Sequence, residues 1–332
     1  MNSQPPERLR GQGQTGAALI TVLLVVAIVS VIAVNLGSQL QNNVQRTASA
    51  YQAEQSYWMW LSAEEVLSEV LVKELDSNDG IAHHQQAWAQ ENGPFPVAGG
   101  GQIAAKVRDM YSCFNVNSLS LTDDNEQLKT LRKKQFAALL SALQIDDYQA
   151  QQLTDALTDF VDPDMRLSGL GAEDADYEAL PLPYQTANSG LVDISELRLV
   201  RGFTAAIVAT IKPYVCAIPQ QTALAININT LDAEHGVILV GLSQGKLSLT
   251  AATDMLNGRP DDGYENVEQA LSEGSLNSLR SEVEGGLSEL TVNSEYFLLH
   301  AFLKWQQTEI QARSIVKLQD KQTSVIYRAM GE

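Results

Sequence analysis

Residues 16–36 read GAALITVLLVVAIVSVIAVNL, and everything after them depends on how this stretch is taken. The 20 residues 17–36 carry no charge, and their only polar side chains are Thr21, Ser30 and Asn35. At about 1.5 Å per residue they make a helix of roughly 30 Å, the thickness of a bilayer's hydrocarbon core. In lipid a lone segment satisfies its own backbone only as a helix, so the Val and Ile content does not argue for a strand. The preceding residues are short and polar, with Arg8, Arg10 and the amino terminus set against Glu7. That positive excess keeps the N-terminus cytoplasmic and sends the long C-terminal part outward.

A cleavable secretory signal is the competing reading. The run is longer than an ordinary signal core, and no small-x-small exit site follows it. Gly16 directly before the run, with basic residues upstream, admits two readings. It is the mark that a prepilin peptidase cuts, or it is a loop glycine ahead of a plain anchor.

The chain has 332 residues, a net charge of −18 and 45% hydrophobic residues. Its hydrophobic content is that of a folded protein. Its acidity disfavours a nucleic-acid partner and attracts divalent cations. Cys113 and Cys216 each border a strand-like run, YSCFNV and KPYVCAI. Outside the cytoplasm they are expected to form a disulfide closing a loop of about 100 residues, with two buried thiols as the alternative.

Beyond Leu36 there is no Pro and only Gly37 before Asp76, and apolar residues recur near a 3.6 period from Tyr57 to Leu75. One continuous helix over 17–75 is expected, stopped by DSNDG. The segment to Gly101 reads as loop, and 102–117 as two short strands. Helices are expected over 125–143, capped by Asp123, and over 147–161, 194–202 and 204–212. A strand ends ALAININTL, and helices follow over 232–241, 250–257 and 267–272. The last fifty residues hold three alternating runs at hairpin spacing, an antiparallel meander.

The densest acidic cluster is FVDPDMRLSGLGAEDADYEAL, where Asp162, Asp164, Glu173, Asp174 and Asp176 fall among glycines and a proline. Hard oxygens on a turning loop suit Ca²⁺, although the EF-hand spacing is absent. The alternative is a solvated acidic loop. The four histidines show no metal-ligand spacing, and no nucleophile elbow, P-loop or dinucleotide fingerprint is present. ISELRLVRGF and NINTLDAEH resemble helix-hairpin-helix units that grip DNA elsewhere, with Arg198 and Arg201 nearby. The acidic surroundings argue against that use.

Together these residues resemble the type II secretion system protein K family. The matching points are the N-terminal GAALITVLLVVAIVS, RTASAYQAEQSYWMWLSAEE, CFNVNSL, the D-P-D loop leading to GAEDADY, PYQTAN, SELRLVRGF and NINT. Pseudopilins generally carry Glu at the fifth residue after cleavage; here Thr21 stands there, as in the K family. The resemblance implies an α+β fold, a pilin-like long helix on an antiparallel β-sheet with a large inserted all-α domain. The divisions expected are a leader, 1–16; a transmembrane part, 17–36; a periplasmic helix with first strands, 37–119; the inserted domain, 120–220; and the rest of the pilin-like domain, 221–332. It implies cleavage between Gly16 and Ala17 by prepilin peptidase, N-methylation of Ala17, and a single-pass inner-membrane protein with a periplasmic globular part. It also implies a non-enzymatic role at the pseudopilus tip, in complex with minor pseudopilins I and J that initiates assembly, with the major pseudopilin as a further partner and no nucleic acid. Calcium is implied in the α-domain, with Asp162, Asp164, Glu173, Asp174, Asp176 and the neutral donor Asn188 as candidate ligands. The rival classes are an anchored enzyme, a DNA-uptake factor and a minor pilin of a type IV pilus.

Overall fold

The computed structural model describes residues 15–97, 100–121, 126–272, 274–285, 287–305 and 308–331. Most of the expected leader and the expected cap Asp123 lie outside them. The chain divides into two units, Met1–Tyr57 and Trp58–Glu332. One helix, α1 (Thr15–Asp76), contributes to both.

In the first unit every side chain from 17 to 50 is exposed, although the sequence there opens with Leu, Ile and Val. This is a helix long and apolar enough to cross a membrane. Two of its polar side chains bond back to its own backbone: the Thr21 hydroxyl donates to the Ala18 carbonyl at 2.9 Å, and Ser30 to Val26 at 2.8 Å. Such i to i−4 or i−3 bonds leave neither hydroxyl donor unmet.

In the second unit, α1 ends where Asp79 and Gly80 take positive φ and the Gly80 N–H returns to the Leu75 carbonyl at 2.7 Å. Strands β1 (Asn92–Val97) and β2 (Gly101–Asp109) follow. β1 lies in a segment expected to be loop. Pro94 and Pro96 disguise it, because proline is tolerated only where a strand has a free edge. β2 is one nine-residue strand rather than the first of two. It stops at Asp109, whose carboxylate accepts the Tyr111 N–H at 2.8 Å and turns the backbone into a short 3₁₀ helix. The second expected strand shrinks to β3 (Phe114–Asn115).

The helical region then contains α2 (Glu126–Ala142), α3 (Asp147–Val161), α4 (Asp174–Glu178) and α5 (Ala205–Ile211). The helix expected over 194–202 is a 3₁₀ turn, Ile194–Leu199, capped by Asp193. β4 (Val215–Cys216) pairs in parallel with β3, and Cys113 and Cys216 are joined as a disulfide with a Cα–Cα distance of 5.8 Å. β5 (Ile226–Asn227) is all that pairs from the expected strand. α6 (Val237–Leu242), α7 (Leu249–Asn257), α8 (Val267–Ser272) and α9 (Gly274–Leu279) lead to β6 (Leu290–Thr291), the parallel partner of β5. The meander is β7 (Tyr296–Trp305), β8 (Thr308–Gln319) and β9 (Gln322–Met330).

The main sheet has the order β1-β2-β7-β8-β9 and is antiparallel throughout. The C-terminal part of α1 lies on it through Leu67, Leu71 and Leu75, four residues apart, against Phe297, Leu299 and Val316. Trp58 and Val66, read as part of the same periodic set, are exposed, because one helix face accommodates only one such stripe. The inserted helices share a single core, from Phe114 through Phe136, Leu157 and Ile238 to Val292. This core draws residues from both sides of residue 220. The helices up to residue 279 are packed into it.

Candidate metal site

The site begins with the end of α3. Asp155, Asp159 and Asp162 are spaced by four and three residues, so they stand on one helix face, and all three are buried. Pro163 disfavours helical backbone in the residue before it. Asp162 accordingly ends α3 in extended conformation.

The loop that follows is folded back by the first two aspartates. The Leu170 N–H donates to Asp155 at 3.0 Å, and the Ser168 N–H reaches both oxygens of Asp159 at 3.1 Å. Glycine is needed here for space. A Cβ on Gly169 would sit 2.7 Å from the Asp155 carboxylate, and one on Gly171 would run into that of Asp159. The loop is thus returned so that Asp162, Asp164 and Glu173 bring ligand oxygens within 4.8 Å of one another.

The other candidates are held by different partners. The Asp174 carboxylate accepts the Thr186 N–H at 2.8 Å and its hydroxyl at 2.6 Å. Asp176 accepts the Glu173 N–H at 3.3 Å and pairs with Arg201 at 3.2 Å. Arg201, a residue of the helix-hairpin-helix reading, is turned toward this acidic segment. Asn188 adopts a φ of 46°, and its N–H donates to the Phe160 carbonyl, two residues before Asp162. Both Glu173 oxygens and the Asn188 Oδ1 are buried, with no hydrogen-bond donor among the described residues.

That pattern is unusual, since buried acceptors are normally matched. Burial, with Asp159, Asp162, Asp164 and Asp174 around it, raises the Glu173 carboxyl to about 7. Burial raises Asp159 to about 6 despite its bonds from Ser168. Asp174 is held below the ordinary carboxylate range by Thr186. Oxygen acceptors without donors, clustered and acidic, suit a hard divalent cation of the Ca²⁺ type.

Asp155, Asp159 and Lys129 were not singled out from the sequence. Lys129 of α2 places its ammonium 2.8 Å from Asp162. The signal for the aspartates was present as spacing: acids at 155, 159 and 162 recur at helical intervals on the face opposite the apolar stripe of Leu153, Leu157 and Phe160.

A long helix on a five-stranded antiparallel sheet, with an inserted helical core, defines a pilin-like subunit enlarged by an α-domain. Models of the family described as type II secretion system (T2SS), protein K match residues 112–220 and 226–293. The type II secretion system protein K of Aeromonas hydrophila is 36% identical over 326 residues, covering 96% of this chain and 97% of that protein. That of Klebsiella pneumoniae is 33% identical over 319 residues, with 96% and 97% covered. A subunit in the crystal structure of the GspK-GspI-GspJ complex from the enterotoxigenic Escherichia coli type 2 secretion system superposes with a TM-score of 0.76. It is 34% identical, and the match covers 86% of this chain and 99% of that one. The chain belongs to the type II secretion system protein K family. Its apolar N-terminal helix is consistent with a single-pass anchor in the inner membrane.

Proposed function

We propose that this minor pseudopilin occupies the tip of the periplasmic pseudopilus, where it joins minor pseudopilins I and J to initiate assembly for export of folded proteins. The observation that carries the reading is the likeness, over 86% of the chain, to a subunit from a GspK-GspI-GspJ complex. The role is structural. The helical core enlarges the pilin-like domain, which suits a cap above which no further subunit adds. Thr21 in place of the usual fifth-position Glu leaves no carboxylate to meet the terminal amine of a subunit above, which again suits a terminal place. Prepilin peptidase cuts between Gly16 and Ala17, Ala17 is methylated, 17–36 stay in the inner membrane, and the major pseudopilin follows below.

The same reading includes calcium. Asp162, Asp164 and Glu173 would hold the ion, with Asn188 as neutral donor. A bound ion supplies positive charge that ties the end of α3 to the start of α4. Asp174 and Asp176 shape the loop through Thr186 and Arg201. The test is co-expression with I and J in a secreting host, with intact mass and N-terminal sequence of the recovered chain. A complex of the three, with this chain starting at methylated Ala17, is expected. A chain starting at Met1, or one that fails to retain I and J, contradicts the proposal.

A further inference from the structure

The ammonium of Lys129 lies 2.8 Å from Asp162 Oδ2 and 3.7 Å from Asp164 Oδ2. Its side chain is only 9% exposed and that of Asp162 is wholly buried. A protein cation therefore already touches two of the three carboxylates that an incoming ion needs. We propose that Lys129 sets the affinity and the charge selectivity of this site, acting as a resident counter-ion that holds the loop between visits of a divalent cation. The proposal rests on the calcium reading above.

Charge bookkeeping points the same way. Asp162, Asp164 and Glu173 carry three negative charges when ionised; Lys129 leaves two, which one divalent ion balances. Buried charge is tolerated when it is paired. Among the cations nearby, Lys133 pairs with Asp155 and Arg201 with Asp176. The neighbouring acids are engaged too, Asp159 with Ser168 and Asp174 with Thr186.

Two consequences follow from electrostatics. Without calcium, the ammonium lowers repulsion within the cluster and keeps the end of α3 in place. With calcium, it repels the ion and weakens binding, as ligand charge count tunes calcium sites generally. Repulsion scales with the charge of the ion, so a trivalent ion suffers more. Lysine suits this task because its charge is compact, on a flexible stem that can shift without leaving the cluster.

The experiment compares full-length wild type, Lys129→Met and Lys129→Arg in detergent, titrated calorimetrically with Ca²⁺ and with La³⁺. Lys129→Met is expected to bind Ca²⁺ at least about tenfold more tightly, and La³⁺ by a larger factor still. It is also expected to melt earlier than wild type in chelator. Lys129→Arg keeps both ion affinities near wild type. A purely structural role would not move the ratio of trivalent to divalent affinity. Wild-type or weaker Ca²⁺ binding by Lys129→Met overturns the proposal. So does a Lys129→Met chain that will not fold with calcium present while Lys129→Arg does. If wild type takes up neither ion, the calcium reading itself fails and this proposal with it.

Discussion

Two buried carboxylates in the second unit behave in opposite ways. Asp109, at the end of β2, accepts from Ser294, Thr230, Asn227 and the Tyr111 N–H, which joins the sheet to the 226–230 segment. Burial raises its carboxyl, and those four bonds oppose the rise. Glu173, at the start of α4, is also buried, though less deeply, and has acidic neighbours where Asp109 has donors. A polar group taken out of water is costly unless it is matched. The first region is therefore complete in itself, whereas the second is completed from outside. The sheet side repeats the first pattern: Glu64 of α1 receives Arg328 at 2.7 Å and the Ser314 hydroxyl, and Trp60 in turn donates to Ser314 at 2.7 Å.

Breaking the complete region has the largest expected effect. Asp109→Ala strands three side-chain donors and one N–H, and should cost about 3–5 kcal/mol by chemical denaturation. The loss should be the same with calcium and with chelator. A calcium-dependent loss would blur the distinction between the regions.

Withdrawing calcium comes next. Ligand at a hundredfold over its dissociation constant stabilises by about 2.7 kcal/mol. For a unit of this size that lowers the melting temperature by roughly 5–10 °C when chelator is added. Asp162→Asn should remove that response and also lower the melting temperature in chelator, because it takes from the buried Lys129 ammonium its charged partner.

Gly171→Ala sharpens the account of how the second region is shaped. Its Cβ collides with the Asp159 carboxylate that holds Ser168. A cost of about 1–3 kcal/mol is expected, with weaker calcium binding. An unaffected calcium titration would mean that the returning loop does not position Glu173.

The smallest effect is a pH dependence, and its sign is informative. Glu173 sits near 7 in the calcium-free fold, above its ordinary 4.5. Between those values the folded chain holds more protons than the unfolded one, so calcium-free stability falls as pH rises through the window. Asp159, raised to about 6, adds in the same direction. Calcium needs the ionised form, so its stabilising increment should grow from about pH 5 to about pH 7.5. Melting curves with and without chelator at both pH values measure it; an equal increment at both contradicts the assignment of Glu173.

Much of this was legible in the sequence. The 17–75 helix follows from an uncharged run joined to a stretch free of proline, and the meander from period-two runs separated by turns. Asp162, Asp164 and Glu173 were visible as a cluster. What stayed hidden has specific causes. β1 carries two prolines, and the Asp109 and Asn115 side chains replace strand pairing over 110–117. The shared core across residue 220 depends on α2 meeting α6 over a long sequence separation, which local patterns do not encode. Lys129 was invisible for the same reason: its carboxylate partner lies 33 residues away.

The most direct test is anomalous diffraction from crystals of this protein grown with calcium, recorded where calcium scatters anomalously. The account predicts a calcium peak coordinated by Asp162, Asp164 and Glu173. A well-ordered site without that peak, with Lys129 and water alone satisfying the three carboxylates, would contradict it.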